Sequence, residues 1–245
     1  FATRMESDLL PWKPTVATFC YGMNDGQYRA YTDDIGKLYQ EAMNKIIQRL
    51  KKEDIRMLIG SPSVVDPSTF TRCPPAVYNN NLNTLGSIGK KLANENAAYF
   101  ADIHGLMAKV MPAAKAKYGD KYHVAGRDGV HPWNNGHLLM AYGFLREMGF
   151  DGEIASIKID THGQSTISAG HKILSQGKGK IKIASTRYPF CFYGKGIEER
   201  STAAIVGFTD FNKQLNRFTL QVSGLKSSRA KVTWGTHSKV FDSAA

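Results

Sequence analysis

Residues 15–20 read Thr-Val-Ala-Thr-Phe-Cys, and after Tyr21 the chain continues Gly22-Met23-Asn24-Asp25. A short apolar run rich in strand formers that leads into glycine is the pattern of a buried strand handing over to a loop. The next 40 residues set the fold class. From Asp33 to Lys51 the apolar residues Ile35, Leu38, Tyr39, Ala42, Met43, Ile46, Ile47 and Leu50 keep helical spacing. Acidic residues open that segment and Arg49, Lys51 and Lys52 close it, matching the helix dipole. Arg56 to Ile59 then reads as a second buried strand, stopped by Gly60-Ser61-Pro62.

The cycle repeats downstream. A helix is predicted through Leu82, Leu85, Ile88 and Leu92, a short strand over Ala97 to Phe100, and a helix capped by Asp102 that carries Ile103, Leu106, Met107 and Val110. A loop containing Gly126 and Gly129 leads to a last helix with Leu138, Leu139, Tyr142 and Leu145 on one face. Alternating strands and helices with short links predict an α/β fold with a doubly wound parallel sheet, whose strand C-terminal ends carry the site.

After Phe150 the period falls to two. Ile157 and Ile159, Ile181 and Ile183, then Phe218, Leu220 and Val222, then Val232 and Trp234 alternate with polar residues between glycines. The expected organisation is an α/β domain over 1–150 and an antiparallel β-rich region over 151–245.

The chain has 245 residues, 42% apolar and 22% charged, enough to bury an ordinary core. No apolar run approaches the roughly 20 residues of a membrane-spanning helix. Cys20, Cys73 and Cys191 form no CxxC or CxxH pair, so neither a zinc site nor a redox motif is expected. His104, His137, His162, His171 and His237 show no metal-like spacing. The net charge of +11 is concentrated after residue 150, where 14 Lys and Arg face 7 Asp and Glu. An anionic polymer would suit that charge, and so would a plain solvated strand surface. No nucleic-acid motif accompanies it, so nucleic acid is not an expected partner.

Two features carry chemistry. An amide at the end of a parallel strand, as Asn24 would be, can donate to an oxyanion developing in acyl transfer. An ordinary turn would use the same Gly, Asn and Asp. In Asp128-Gly129-Val130-His131-Pro132, a carboxylate three residues before a histidine can fold onto the ring Nδ1, leaving Nε2 as a general base. Asp120-Lys121-Tyr122-His123 is a rival pair; it lies among lysines, whereas glycine and proline around Asp128 enforce a loop. Ser61 and Ser63 lack a G-x-S-x-G elbow and are expected in a substrate loop. Tyr188, Phe190, Phe192 and Tyr193 read as β-core more than as the lining of an acyl or sugar site.

In this order, Gly-Met-Asn-Asp then Asp-Gly-Val-His-Pro-Trp-Asn-Asn-Gly-His resembles blocks III and V of the SGNH, or GDSL-type, lipases and esterases. Asp8 to Pro14 is similar to that family's lead-in. The resemblance covers about residues 1–150 and implies a flavodoxin-like three-layer sandwich. It also implies a serine ester hydrolase without metal or organic cofactor, acting on a carbohydrate acetyl ester or a small acyl ester. It assigns Asn24 to the oxyanion hole, His131 as general base and Asp128 as its orienting residue. The nucleophile's Gly-Asp-Ser and the second oxyanion block are not found in this chain. The expectation is therefore a sheet lacking its N-terminal strands, open to completion by another polypeptide segment, and a chain inactive by itself. Residues 1–10 then read as the end of a helix, and Asp242 or Ser243 as a helix N-cap. The resemblance leans towards an extracytoplasmic or secreted protein. The alternatives are a noncatalytic glycan-binding protein on the same fold and, less expected, a nucleic-acid partner built on the basic second part.

Overall fold

A computed structural model describes residues 4–242 except 195 and 199, and divides into two compact units. The first comprises residues 1–150 and 191–212. It opens with α1 (Met5–Asp8) and a 3-10 turn (Leu10–Trp12), then alternates β1 (Val16–Cys20), α2 (Asp33–Lys52), β2 (Arg56–Gly60), α3 (Pro75–Glu95), β3 (Tyr99–Ala101), α4 (Ile103–Tyr118) and α5 (Asn134–Glu147). The strands form a parallel sheet in the order β1-β2-β3, with Thr18 opposite Leu58 and Leu58 opposite Tyr99.

Strand alternation makes this sheet the middle of three layers. Met57 and Ile59 of β2 enter a core with Ile35, Tyr39, Met43 and Ile47 of α2 and Leu85 and Leu92 of α3. Leu58, between them, enters a second core with Met107 and Val110 of α4 and Leu139 of α5. The continuous apolar run of β2 is therefore buried on both faces, as a central parallel strand requires. Gly60 lets the ring of Phe144 from α5 approach β2 where a Cβ would collide with it. Asp102 caps α4 by accepting from the Gly105 N–H at 2.8 Å.

Within residues 191–212, Ile205 of the short helix α6 (Thr202–Val206) is buried in the second core. A helix of this length carries too brief an apolar pattern to stand out against the surrounding glycines. A further short helix, α7 (Phe211–Leu215), begins where the first unit ends.

The second unit comprises residues 151–190 and 213–245. It contains β4 (Glu153–Asp160), β5 (Thr166–Ile167), β6 (His171–Gly177), β7 (Lys180–Ser185), β8 (Arg217–Ser223), β9 (Arg229–Trp234) and β10 (His237–Asp242). The pairs β4-β5, β6-β7 and β9-β10 are antiparallel, whereas β4 and β8 pair in parallel, Ile157 opposite Leu220. A period of two marks a strand without marking its partner's direction, so this parallel pair was not legible. Asp242 ends β10 instead of capping a helix, and Ser243 lies outside the described residues. Among the described residues no helix is long and apolar enough to cross a membrane.

Candidate active site

Asn24 lies in the loop that leaves the C-terminal end of β1. Gly22, at φ +125°, has a backbone that a side chain rarely adopts, and a Cβ there would run into the Pro62 ring. The turn is closed by Gly22 N–H to Asp25 Oδ2 at 2.9 Å and Gly26 N–H to the Gly22 carbonyl at 3.0 Å. Helix α3 pins it from below. The fully buried Asn81 amide donates to the carbonyls of Gly26 at 3.0 Å and Arg29 at 2.8 Å, and the Tyr78 hydroxyl donates to that of Met23. The Asn24 side chain is exposed, and its Oδ1 accepts from the Tyr28 hydroxyl at 2.5 Å.

Asp128 and His131 meet directly, His131 Nδ1 lying 2.5 Å from Asp128 Oδ2. The other carboxylate oxygen accepts from the backbone N–H groups of Val130 and His131, both at 3.0 Å. Partial burial pushes the Asp128 carboxyl up. The ring and the two N–H groups outweigh that and bring it down to about 2. The turn depends on glycine: Gly126 and Gly129 lie at φ +86° and +77°, and a Cβ on Gly129 would strike the Phe70 backbone. With Nδ1 engaged, Nε2 is free to take a proton, and the His131 side chain is 74% exposed.

The two loops share one support. Val130 is buried with Val65, Phe70, Tyr78 and Leu82, and Met23 and Tyr28 pack on the same cluster. The segment after β2 ties in as well, since Asp66 N–H donates to the Gly129 carbonyl at 3.0 Å. Asp66 is fully buried, and the Lys115 ammonium lies 3.0 Å from its Oδ2. Sequence reasoning did not single out Tyr28, Asp66 or Lys115. Asp66-Pro67-Ser68 carries a local turn signal, but its partner lies 49 positions away on α4.

The rival pair does not form. His123 is mostly buried, its Nδ1 3.6 Å from Asp66, while the Asp120 carbonyl accepts from Lys115. Ser61 and Ser63 are buried instead of lining a substrate loop: Ser61 Oγ accepts from the His104 N–H at 2.8 Å. The aromatic residues 188–193 are not β-core. Tyr188 and Tyr193 are 72% and 73% exposed, and Phe192 meets Phe211 edge to face. Among the described residues no serine hydroxyl bonds the His131 ring, and no three His, Cys, Asp or Glu side chains gather to hold a metal. Two surface cavities of about 490 and 560 Å³, one between α2 and α3 and one beside Asp66 and Lys115, are not lined by Asn24, Asp128 or His131.

A family model described as the GDSL-like Lipase/Acylhydrolase family matches residues 1–139, more than half of the chain. The chain belongs to this family. Members of that family are esterases and acylhydrolases. An acetylxylan esterase of Geobacillus stearothermophilus is 26% identical over 155 residues, covering 60% of this chain and 65% of that enzyme. Among solved structures, BT4096, a gut microbial diltiazem-metabolizing enzyme, is similar over 94% of this chain and 56% of its own, with TM-score 0.71 and 24% identity. That likeness establishes the α/β fold. The Geobacillus stearothermophilus acetylxylan esterase Axe2 has TM-score 0.48 at 21% identity, over 60% of this chain and 65% of that one. The chain thus spans less than two thirds of the relatives it matches.

Proposed function

We propose that this chain supplies the general base and an oxyanion donor of a serine ester hydrolase acting through an acyl-enzyme. The observation that carries the reading is the 2.5 Å contact of Asp128 with His131 Nδ1. It fixes the tautomer in which Nε2 can accept a proton from a serine hydroxyl. As that oxygen bonds to the ester carbonyl carbon, negative charge builds on the carbonyl oxygen and Asn24 Nδ2 donates to it. The imidazolium then returns its proton to the departing alcohol, and a water activated by His131 releases the acid and frees the serine. The residues named need neither a metal nor an organic cofactor for this sequence of steps. An acetyl ester on a carbohydrate, as in the relative named acetylxylan esterase, or another small acyl ester is the substrate class.

The serine belongs, in this reading, to a polypeptide segment outside these 245 residues. Burial of Ser61 and Ser63 and the absence of a Gly-Asp-Ser motif support it. Among the described residues β1 pairs only with β2, which is compatible with a further strand on its other edge. Residues 151–190 and 213–245 are then a β-rich appendage to the hydrolase part, which residues 191–212 rejoin.

A fluorophosphonate serine probe tests this. The full-length protein should label stoichiometrically and His131→Ala should abolish labelling, while the 245-residue chain alone should not label. Labelling of a serine within the 245-residue chain, lost in His131→Ala, would place the nucleophile here. A full-length protein that never labels yet retains acetylated xylo-oligosaccharides on a column would be a noncatalytic glycan binder.

A further inference from the structure

Gln27 and Tyr28 both occupy the left-handed region of backbone space, at φ +56° and +53°. Neither is glycine, and for a residue as bulky as tyrosine this conformation carries a steric cost. It persists only where the surroundings over-determine it. They do so here. The Tyr28 ring stacks on Tyr78 with centroids 5.1 Å apart and lies 6.1 Å from Phe70, and the Arg72 guanidinium sits 4.1 Å above its centroid. On either side, Asn81 holds the Gly26 and Arg29 carbonyls.

What this arrangement delivers is the Tyr28 hydroxyl, 2.5 Å from Asn24 Oδ1. A carboxamide has two ends of nearly equal size and opposite use. Its NH₂ stabilises an oxyanion and its carbonyl oxygen repels one. A phenol hydroxyl is a better donor than acceptor, because its lone pair is drawn into the ring. A guanidinium over the ring face draws electron density further and favours donation. Tyr28 therefore selects the orientation in which Oδ1 faces the phenol and Nδ2 faces away from it.

We propose that Tyr28 is a positioning residue that sets the carboxamide of Asn24 with Nδ2 presented to the oxyanion. The proposal rests on the oxyanion role assigned to Asn24 in the proposed function. Local spacing does not announce it, since nothing in the sequence marks the non-glycine residues Gln27 and Tyr28 as left-handed.

Tyr28→Phe keeps the ring and its stacking and removes only the hydroxyl. In the full-length protein it should lower kcat on an acetyl ester about tenfold, the scale of one neutral hydrogen bond. KM should stay within about twofold and thermal stability nearly unchanged. In an Asn24→Ala background the same change should cost nothing further, whereas independent structural damage would multiply the two losses. On the 245-residue chain, the Asn24 side-chain amide should lose order by ¹⁵N relaxation in Tyr28→Phe. Full kcat in Tyr28→Phe, multiplicative losses, or unchanged amide order overturns the proposal. If Asn24→Ala leaves kcat intact, the oxyanion assignment itself falls, and that result is read before Tyr28 is touched.

Discussion

Asp128 holds His131 from two directions, taking the ring Nδ1 on one carboxylate oxygen at 2.5 Å and the backbone N–H of the same residue on the other at 3.0 Å. A short turn is thus closed in which carboxylate, backbone and imidazole are mutually fixed. Asp128→Asn keeps a side chain of the same size but can donate to Nδ1, favouring the wrong tautomer. In the full-length protein, kcat on an ester should fall by about two to four orders of magnitude with KM little changed. A near-normal kcat would remove Asp128 from the mechanism.

The same carboxyl sets a pH expectation. Its value in the folded protein, about 2, lies below the ordinary 3.8, so its contribution to stability is present above 3.8 and lost as pH falls through 2. The carboxyl's share of the difference in melting temperature between the native protein and Asp128→Asn should therefore shrink as pH falls below about 4 and be largely gone by about pH 2. Activity lost between pH 7 and 5 would then not report protonation of this carboxyl.

Gly129 sits at φ +77°, with the Phe70 backbone where a Cβ would stand. Gly129→Ala combines an unfavourable φ with a backbone clash, and should destabilise by more than about 1 kcal/mol. Urea midpoints read the stability loss. Because the turn carries His131, labelling of the full-length protein by the phosphonate should fall in parallel.

Asp66 is fully buried and Lys115 is 13% exposed. Lys115→Met takes the ammonium from a buried carboxylate that keeps the Ser68 N–H and hydroxyl on its other oxygen, and should cost about 1–3 kcal/mol in urea unfolding. Asp66→Leu should lose the Ser68 bonds as well, and in its background Lys115→Met should cost less than it does alone. If the double variant is as unstable as the two single losses summed, the pair is not coupled and the 3.0 Å contact contributes little.

Burial pushes the Cys20 thiol up to about 12, and its Sγ donates to the Ser61 carbonyl at 3.0 Å. Cys191 is exposed. Iodoacetamide at pH 8 should modify Cys191 and spare Cys20 until urea unfolds the chain, since the thiolate is the reactive form. Peptide mapping with Cys20 alkylated in the native protein would contradict the packing at the end of β1.

Much of the first unit was legible because its signals are local. The helical spacing of Ile35, Tyr39, Met43, Ile46 and Leu50 and the apolar run of Arg56–Gly60 depend on neighbours within a few positions. The Asp128–His131 contact is equally local, three residues apart with glycine between. The burial of Ser61 was not legible, because a serine after Gly60 reads the same whether it faces a cleft or accepts from His104, 43 residues away.

By itself, the sequence determined the α/β alternation, the placement of Asn24 after a strand, and the Asp-x-x-His turn, since each follows from chain geometry over one turn or one strand. Tertiary structure alone decided that Val65, Phe70, Tyr78, Leu82 and Val130 join the two loops on one support. It also decided that Asp66 finds Lys115, that β4 pairs in parallel with β8, and that Tyr28 reaches Asn24 through a left-handed backbone. Those outcomes depend on which groups are buried together. Burial is settled by all the packed elements at once and leaves no fixed spacing in the chain to read.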